Sequence, residues 1–165
     1  MTKTILATIF AATALSLTSS AAFAQTAAAN MDVSMTVAAE CTLATDPVAF
    51  GNQALIDVAV EVPGNMTVQC TANAPYQIQL GVGNGALATV ETRFMTGVAN
   101  GGLATYTVHQ GLATGPIWGA TLGTNTLDGT ATGGADVIPF TAVLAANQSV
   151  QADTYADVLI ATINY

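Results

Sequence analysis

The chain has almost no positive charge: two Lys or Arg residues, Lys3 and Arg93, stand against ten Asp and Glu. Nucleic-acid binding depends on cationic side chains neutralising phosphates, so that class of function is excluded, and an anionic membrane surface is an equally poor partner. Histidine is nearly absent too. His109 is the only one, so a zinc site lacks ligands and any Ser-His-Asp arrangement would have to use this single ring. No D-x-D-x-D-G loop for calcium occurs. No apolar run reaches the about 20 residues that span a bilayer. Beyond the first residues, no segment repeats its apolar residues at helical spacing.

What is present begins with an export signal. Lys3 precedes an apolar run from Ile5 to Leu17, and small residues lead to Ala22-Phe23-Ala24. A positive start, a short apolar stretch and an A-x-A site are the pattern signal peptidase reads. Residues 1–24 are therefore expected to be a signal peptide and Gln25 the mature N-terminus. Cleavage leaves one cation against ten acids, a net side-chain charge of −9. Residues 25–165 suffice for one domain with a real core.

Two cysteines, Cys41 and Cys70, remain. In an exported chain an even count favours a structural disulfide. Neither has His or acid partners at metal-ligand spacing. Closing a loop of about 30 residues would contribute roughly 3–4 kcal/mol on the chain-entropy model.

Alternation with period two dominates the rest, the sign of half-buried strands. Met31, Val33, Met35 and Val37 alternate with Asp32, Ser34 and Thr36. Val58, Val60 and Val62 lead to a Pro63-Gly64-Asn65 turn, after which Met66, Val68 and Cys70 continue. Tyr76, Ile78, Leu80 and Val82 form a further segment, Tyr106 and Val108 a shorter one. Ile138, Phe140, Ala142 and Leu144 follow a long Gly/Thr-rich connection, and Leu159, Ala161, Ile163 and Tyr165 come last. Gly, Asn and Pro clusters separate them: Asn73-Ala74-Pro75, Gly81 to Gly85, Gly97 to Gly102, and Gly123 to Gly134. Short strands between such turns argue for a single all-β sandwich. The sequence stops inside its last strand at Tyr165, as expected of a sandwich lacking one strand.

Candidate sites are few, and each has a plain structural alternative. His109 reads as a half-exposed strand residue rather than a base. Gly81-Val82-Gly83-Asn84-Gly85 lacks the following Lys and helix of a phosphate loop, so it reads as a wide turn. Asp153 with Asp157, or Asp128 with Asp136, could pair as a glycosidase acid and base, but scattered surface acids are the default. Arg93 is expected either to meet Glu91 or Asp157 or to bond backbone carbonyls. Trp118 could be a sugar-stacking platform, though packing is the commoner role. No catalytic residue, metal or cofactor is assigned.

Taken in order, Cys41, Phe50-Gly51, Val68-x-Cys70-Thr71, Pro75-Tyr76, Gly81, Arg93-x-Met95, Tyr106, Trp118-Gly119 and Tyr155-x-Asp157 resemble the spore coat protein U domain, which is shared with subunits of archaic chaperone–usher pili. The match runs the length of the mature chain. It departs at Asp153, where the family has glycine two residues before a tyrosine, and at His109, where a second tyrosine is frequent. The resemblance implies an incomplete immunoglobulin-like β-sandwich lacking its last strand, completed by donor-strand exchange. It implies a non-enzymatic pilin of a surface fibre serving adhesion or biofilm formation. Its partners would be a periplasmic chaperone, an outer-membrane usher and identical or related pilin subunits. It would be exported through the periplasm to the cell surface or secreted, with no nucleic acid and no direct membrane insertion. On this reading residues 25–38, carrying Met31, Val33, Met35 and Val37, are the donor strand, with an ordinary first strand as the alternative. Residues 39–165 are the domain, and Tyr155, Leu159, Ala161, Ile163 and Tyr165 edge the groove that the chaperone grips. Competing readings are a secreted spore-coat or matrix protein, and a small carbohydrate-binding module or hydrolase using Trp118 and surface acids.

Overall fold

In the computed structural model, which describes residues 25–165, alternating burial turns the period-two segments into strands, and no helix forms. The signal-peptide segment 1–24 lies outside the described residues. The chain divides after Met35. In the first unit, residues 25–35 carry neither strand nor helix, and Met31, Val33 and Met35 are 86, 87 and 86 % exposed. The second unit, Thr36–Tyr165, holds nine strands: β1 Cys41–Thr45, β2 Val60–Cys70, β3 Pro75–Leu80, β4 Arg93–Gly97, β5 Leu103–Gln110, β6 Leu127–Thr130, β7 Ala135–Leu144, β8 Tyr155–Ala156 and β9 Ala161–Asn164.

All pairings are antiparallel. Six strands form one sheet in the order β1-β2-β7-β5-β4-β8, and three form the other, β6-β3-β9. Met66 and Val68 of β2, Ile138, Phe140 and Ala142 of β7, and Tyr106 and Val108 of β5 pack against Tyr76, Ile78 and Leu80 of β3. These residues alternate with exposed or half-buried neighbours, as one buried face per sheet requires, except at Thr141 of β7, which is buried with its hydroxyl donating to Gly111 O.

Three expectations are corrected here. Pro63-Gly64-Asn65 is no turn: β2 runs through it as one strand of 11 residues, paired with β7 from Val60 to Gln69. Gly64 stands opposite Phe140, whose ring occupies the space a Cβ would take. Pro63 lies beyond the reach of β1, which covers only Met66–Cys70, and an uncovered flank is where a strand tolerates proline. The Gly123–Gly134 connection contains β6, paired with β3. The last strand is broken. Tyr155–Ala156 pairs with β4 in the larger sheet, and Ala161–Asn164 pairs with β3 in the smaller one. β1 and β4 were not visible as alternating segments.

The expected disulfide is present. Cys41 and Cys70 are direct partners across β1 and β2 and are bonded through sulfur. Just before them, Thr71 ties down the approach to β1. Its hydroxyl donates to the Ala38 carbonyl and accepts from the Glu40 amide, and its own amide donates to the Glu40 carbonyl.

Candidate functional site: an open cleft between the sheets

The sandwich is not closed all round. β1 is an outer edge of the larger sheet and β9 an outer edge of the smaller one. The two lie against each other, but no ladder joins them among the described residues. Beyond that contact the edges part and leave a cleft of about 340 Å³. One lip is the stretch leaving β1, with Thr45, Asp46, Val48 and Phe50. The other is the C-terminal segment from Tyr155 to Ala161. The floor is the core itself: Met66, Leu80, Met95, Val108, Phe140 and Ala142.

The C-terminal lip alternates regularly although its hydrogen bonding changes sheets. Tyr155, Asp157, Leu159, Ala161 and Ile163 are half-buried; Ala156, Val158, Ile160, Thr162 and Asn164 are exposed. Of the residues expected to edge a groove, Tyr155, Leu159 and Ala161 line the cleft. Ile163 packs on the core beyond its end, where β1 meets β9, and Tyr165 is 55 % exposed. Val37 is 63 % exposed.

Asp157 fixes the crossing point between sheets. Its carboxylate accepts the Tyr106 hydroxyl at 2.6 Å and the amides of Asn84 and Val158, each at 2.7 Å. Burial, reinforced by that hydrogen bond and by the carboxylate's charge, pushes the Tyr106 phenol far above its ordinary value. Asn84 lies in the Gly81–Gly85 turn, so an amide that could have faced a phosphate is committed to Asp157.

Arg93 resolves in favour of carbonyls. The side chain is fully buried. Its Nε donates to Gly81 O at 3.0 Å, Nη1 to Val90 O at 2.9 Å, and Nη2 to Leu80 O at 3.2 Å and Trp118 O at 2.6 Å. Burial draws the guanidinium below its usual value, while Tyr106, Asp157 and Glu91 hold it up. Trp118 is equally buried, so it presents no face to a sugar. Its amide donates to Val108 O in β5 and its indole N–H to Ile78 O in β3. Arg93 and Trp118 together therefore stitch the two sheets at the back of the cleft.

The remaining candidates are committed locally. The His109 Nδ1–H donates to Gly115 O at 2.8 Å and Nε2 meets the Thr107 hydroxyl at 2.9 Å. Asp153 accepts the amides of Ala99 and Asn100 at the β4–β5 hairpin, which gives the departure from glycine a structural use. Asp136 accepts from the amide and hydroxyl of Thr132. Among the described residues no three His, Cys, Asp or Glu side chains come together as metal ligands.

Comparison with known proteins then bears on the cleft. The family model of the spore coat protein U domain matches residues 27–162, which includes the exposed segment Met31–Val37 as well as both lips. No curated protein matches the chain. Among solved structures, one similar chain comes from the CsuC-CsuE chaperone–tip adhesion subunit pre-assembly complex of the archaic chaperone-usher Csu pili of Acinetobacter baumannii. It is 19 % identical with a TM-score of 0.60, and the alignment covers 79 % of this chain and 41 % of that one.

Proposed function

Since this chain belongs to the spore coat protein U domain family, we propose that it is a pilin, a structural subunit of a chaperone–usher fibre that polymerises by donor-strand complementation. Strand addition to an open sheet edge gives affinity through main-chain hydrogen bonds and specificity through alternate side chains. One observation carries the reading: an alternating apolar segment stands exposed, and a cleft floored by core side chains opens beside the C-terminal segment. The lip from Tyr155 to Ala161 and the segment from Met31 to Val37 each span six residue steps, roughly 20 Å of extended chain. The lip borders a cleft whose floor is apolar core, and the segment offers four alternating apolar side chains left in solvent.

Residues 1–24 act as the export signal, residues 25–38 as the donor and residues 39–165 as the acceptor domain. A periplasmic chaperone fills the cleft first, an outer-membrane usher passes the subunit on, and the next copy's N-terminal strand takes the chaperone's place. The fibre serves adhesion or biofilm formation at the cell surface. The similar solved chain comes from a complex of a chaperone with a pilus tip subunit, which supports the chaperone and pilin partners. Burying Met31, Val33, Met35 and Val37 at roughly 1.5–3 kcal/mol each gives about 6–12 kcal/mol per joint as an upper bound.

Val33→Asp or Met35→Asp tests the reading. In the separate subunit both positions are exposed, so stability should stay within about 0.5 kcal/mol of the parent. In the joint either charge enters an apolar slot, at a cost of several kcal/mol. Chaperone capture should persist while polymers disappear. A variant that loses thermal stability as a monomer, or that polymerises normally, refutes the donor assignment.

A further inference from the structure

Building on the donor-strand reading, we infer that docking one copy's N-terminal strand into another copy's cleft is an association of like charges, whose rate is set by dissolved salt instead of by ion pairs between subunits. The first observation is where the positive charge sits. Arg93 is the only Lys or Arg in residues 25–165. It is fully buried, with Nε, Nη1 and Nη2 all bonded to carbonyls. The ten carboxylates all reach the surface: seven belong to exposed residues, and Asp136, Asp153 and Asp157 are half-buried. Leaving the chain terminus and His109 aside, a subunit can offer its neighbour no cation.

The second observation is where the acids lie. Asp32 separates Met31 from Val33, and Glu40 follows Val37 by three residues; both are exposed. Asp46 and Asp157 line the cleft, with Asp153 two residues before Tyr155. When Met31 and Val33 turn inward, Asp32 turns outward along the lip. Asp32 of one copy then meets a lip of the other that carries Asp157 and is preceded by Asp153, and like charges repel over the Debye length of about 10 Å at 0.1 M salt with no exposed Lys or Arg between them. Complementary charge speeds encounter by about 10- to 1,000-fold at low salt. The same field, acting between copies of one sign, retards it.

The test uses the oxidised chain 25–165, released from denaturant into about 20 or about 500 mM NaCl, on either side of the 0.1 M Debye condition. SDS-resistant multimers are followed over time for the parent, Asp32→Asn and Asp32→Lys. The parent should assemble about tenfold faster at the higher salt. Asp32→Lys should assemble fastest at low salt and show the smallest salt ratio, with Asp32→Asn between. Salt also strengthens apolar burial, but equally in all three chains, so the difference between their ratios isolates the charge. Multimers whose rate is flat or falls with salt, or equal ratios in the three chains, overturn the inference and leave the donor reading standing. No multimers at either salt in any variant would bring down the donor reading, and this inference with it.

Discussion

Replacing Arg93 by methionine keeps an unbranched apolar stem while removing the guanidinium, its charge and every donor. Two of its acceptors, Leu80 O and Trp118 O, receive their bonds from Nη2 in buried surroundings, and the bonds to Gly81 O and Val90 O are partly buried. A buried carbonyl left without its donor costs about 1–3 kcal/mol, so the inner pair alone amounts to about 2–6 kcal/mol. Relief of the desolvation of the cation offsets part of this. Breaking a buried charged network by removing one member typically costs about 3–5 kcal/mol, and that is the loss expected. Domains of this size are stable by about 5–15 kcal/mol, so the loss is a large share of the total and the urea midpoint should fall clearly below the parent's. Trp118, the only tryptophan, accepts one of these bonds and reports the transition by fluorescence. Arg93→Lys keeps the charge but has three donors on a single atom, which cannot span carbonyls contributed by three separate segments, and should recover less than half of the loss. A methionine variant within about 0.5 kcal/mol of the parent at unchanged m-value would show that the guanidinium does not hold the sheets together.

Three further outcomes are expected. Denaturing alkylation of the non-reduced protein should label neither cysteine, and Cys70→Ser should cost roughly 3–4 kcal/mol, the loop entropy of a closure separated by 29 residues; labelling at both positions contradicts the bridge. Because the Tyr106 phenol is raised in the folded state, its contribution is complete below the ordinary tyrosine value of about 10 and is lost as pH climbs above it. Spectrophotometric titration should find a late-ionising phase, and Tyr106→Phe should diminish it by one residue, leaving Tyr76, which burial also raises. Deleting Ile163–Tyr165 removes the pairing of Ile163 with Ile78 and of Asn164 with Gln77, so the truncated subunit should escape chaperone capture and be degraded; normal accumulation and normal fibres after that deletion would argue against the pilin reading.

Alternation alone makes β3, β5 and β7 legible, since the apolar residues of each recur at every second position on a single face. β2 is legible at both ends but not across its middle. Gly64 is chosen there by the Phe140 ring on another strand, and Pro63 by the place where β1 stops; neither fact is local. β4 is hidden because its first inward residue is an arginine, and only the tertiary supply of carbonyls makes that position acceptable. β6 carries a Leu-Asp-Gly-Thr sequence that reads as a connection until β3 lies beside it. The apolar rhythm of Met31–Val37 is plain in the sequence. The cleft is not, because its floor and lips are contributed by Thr45–Phe50, by one or two residues from each of five strands and by Tyr155–Ala161. The change of sheet at Asp157 is equally silent, for it depends on a tyrosine in β5 and an amide in a distant turn.

The disulfide sits at a mechanically particular place. A pull on residues 25–38 reaches the Ala38 and Glu40 bonds to Thr71 first and Cys41 next. Without the bridge, that tension would act on β1 from its first residue and peel it from β2 one hydrogen bond at a time. With Cys41 joined to Cys70, the load passes through a covalent bond into the end of β2, ten of whose 11 residues pair with β7 inside the larger sheet. Tension then falls on a long ladder in shear, with many bonds strained together, and the short edge strand is left slack.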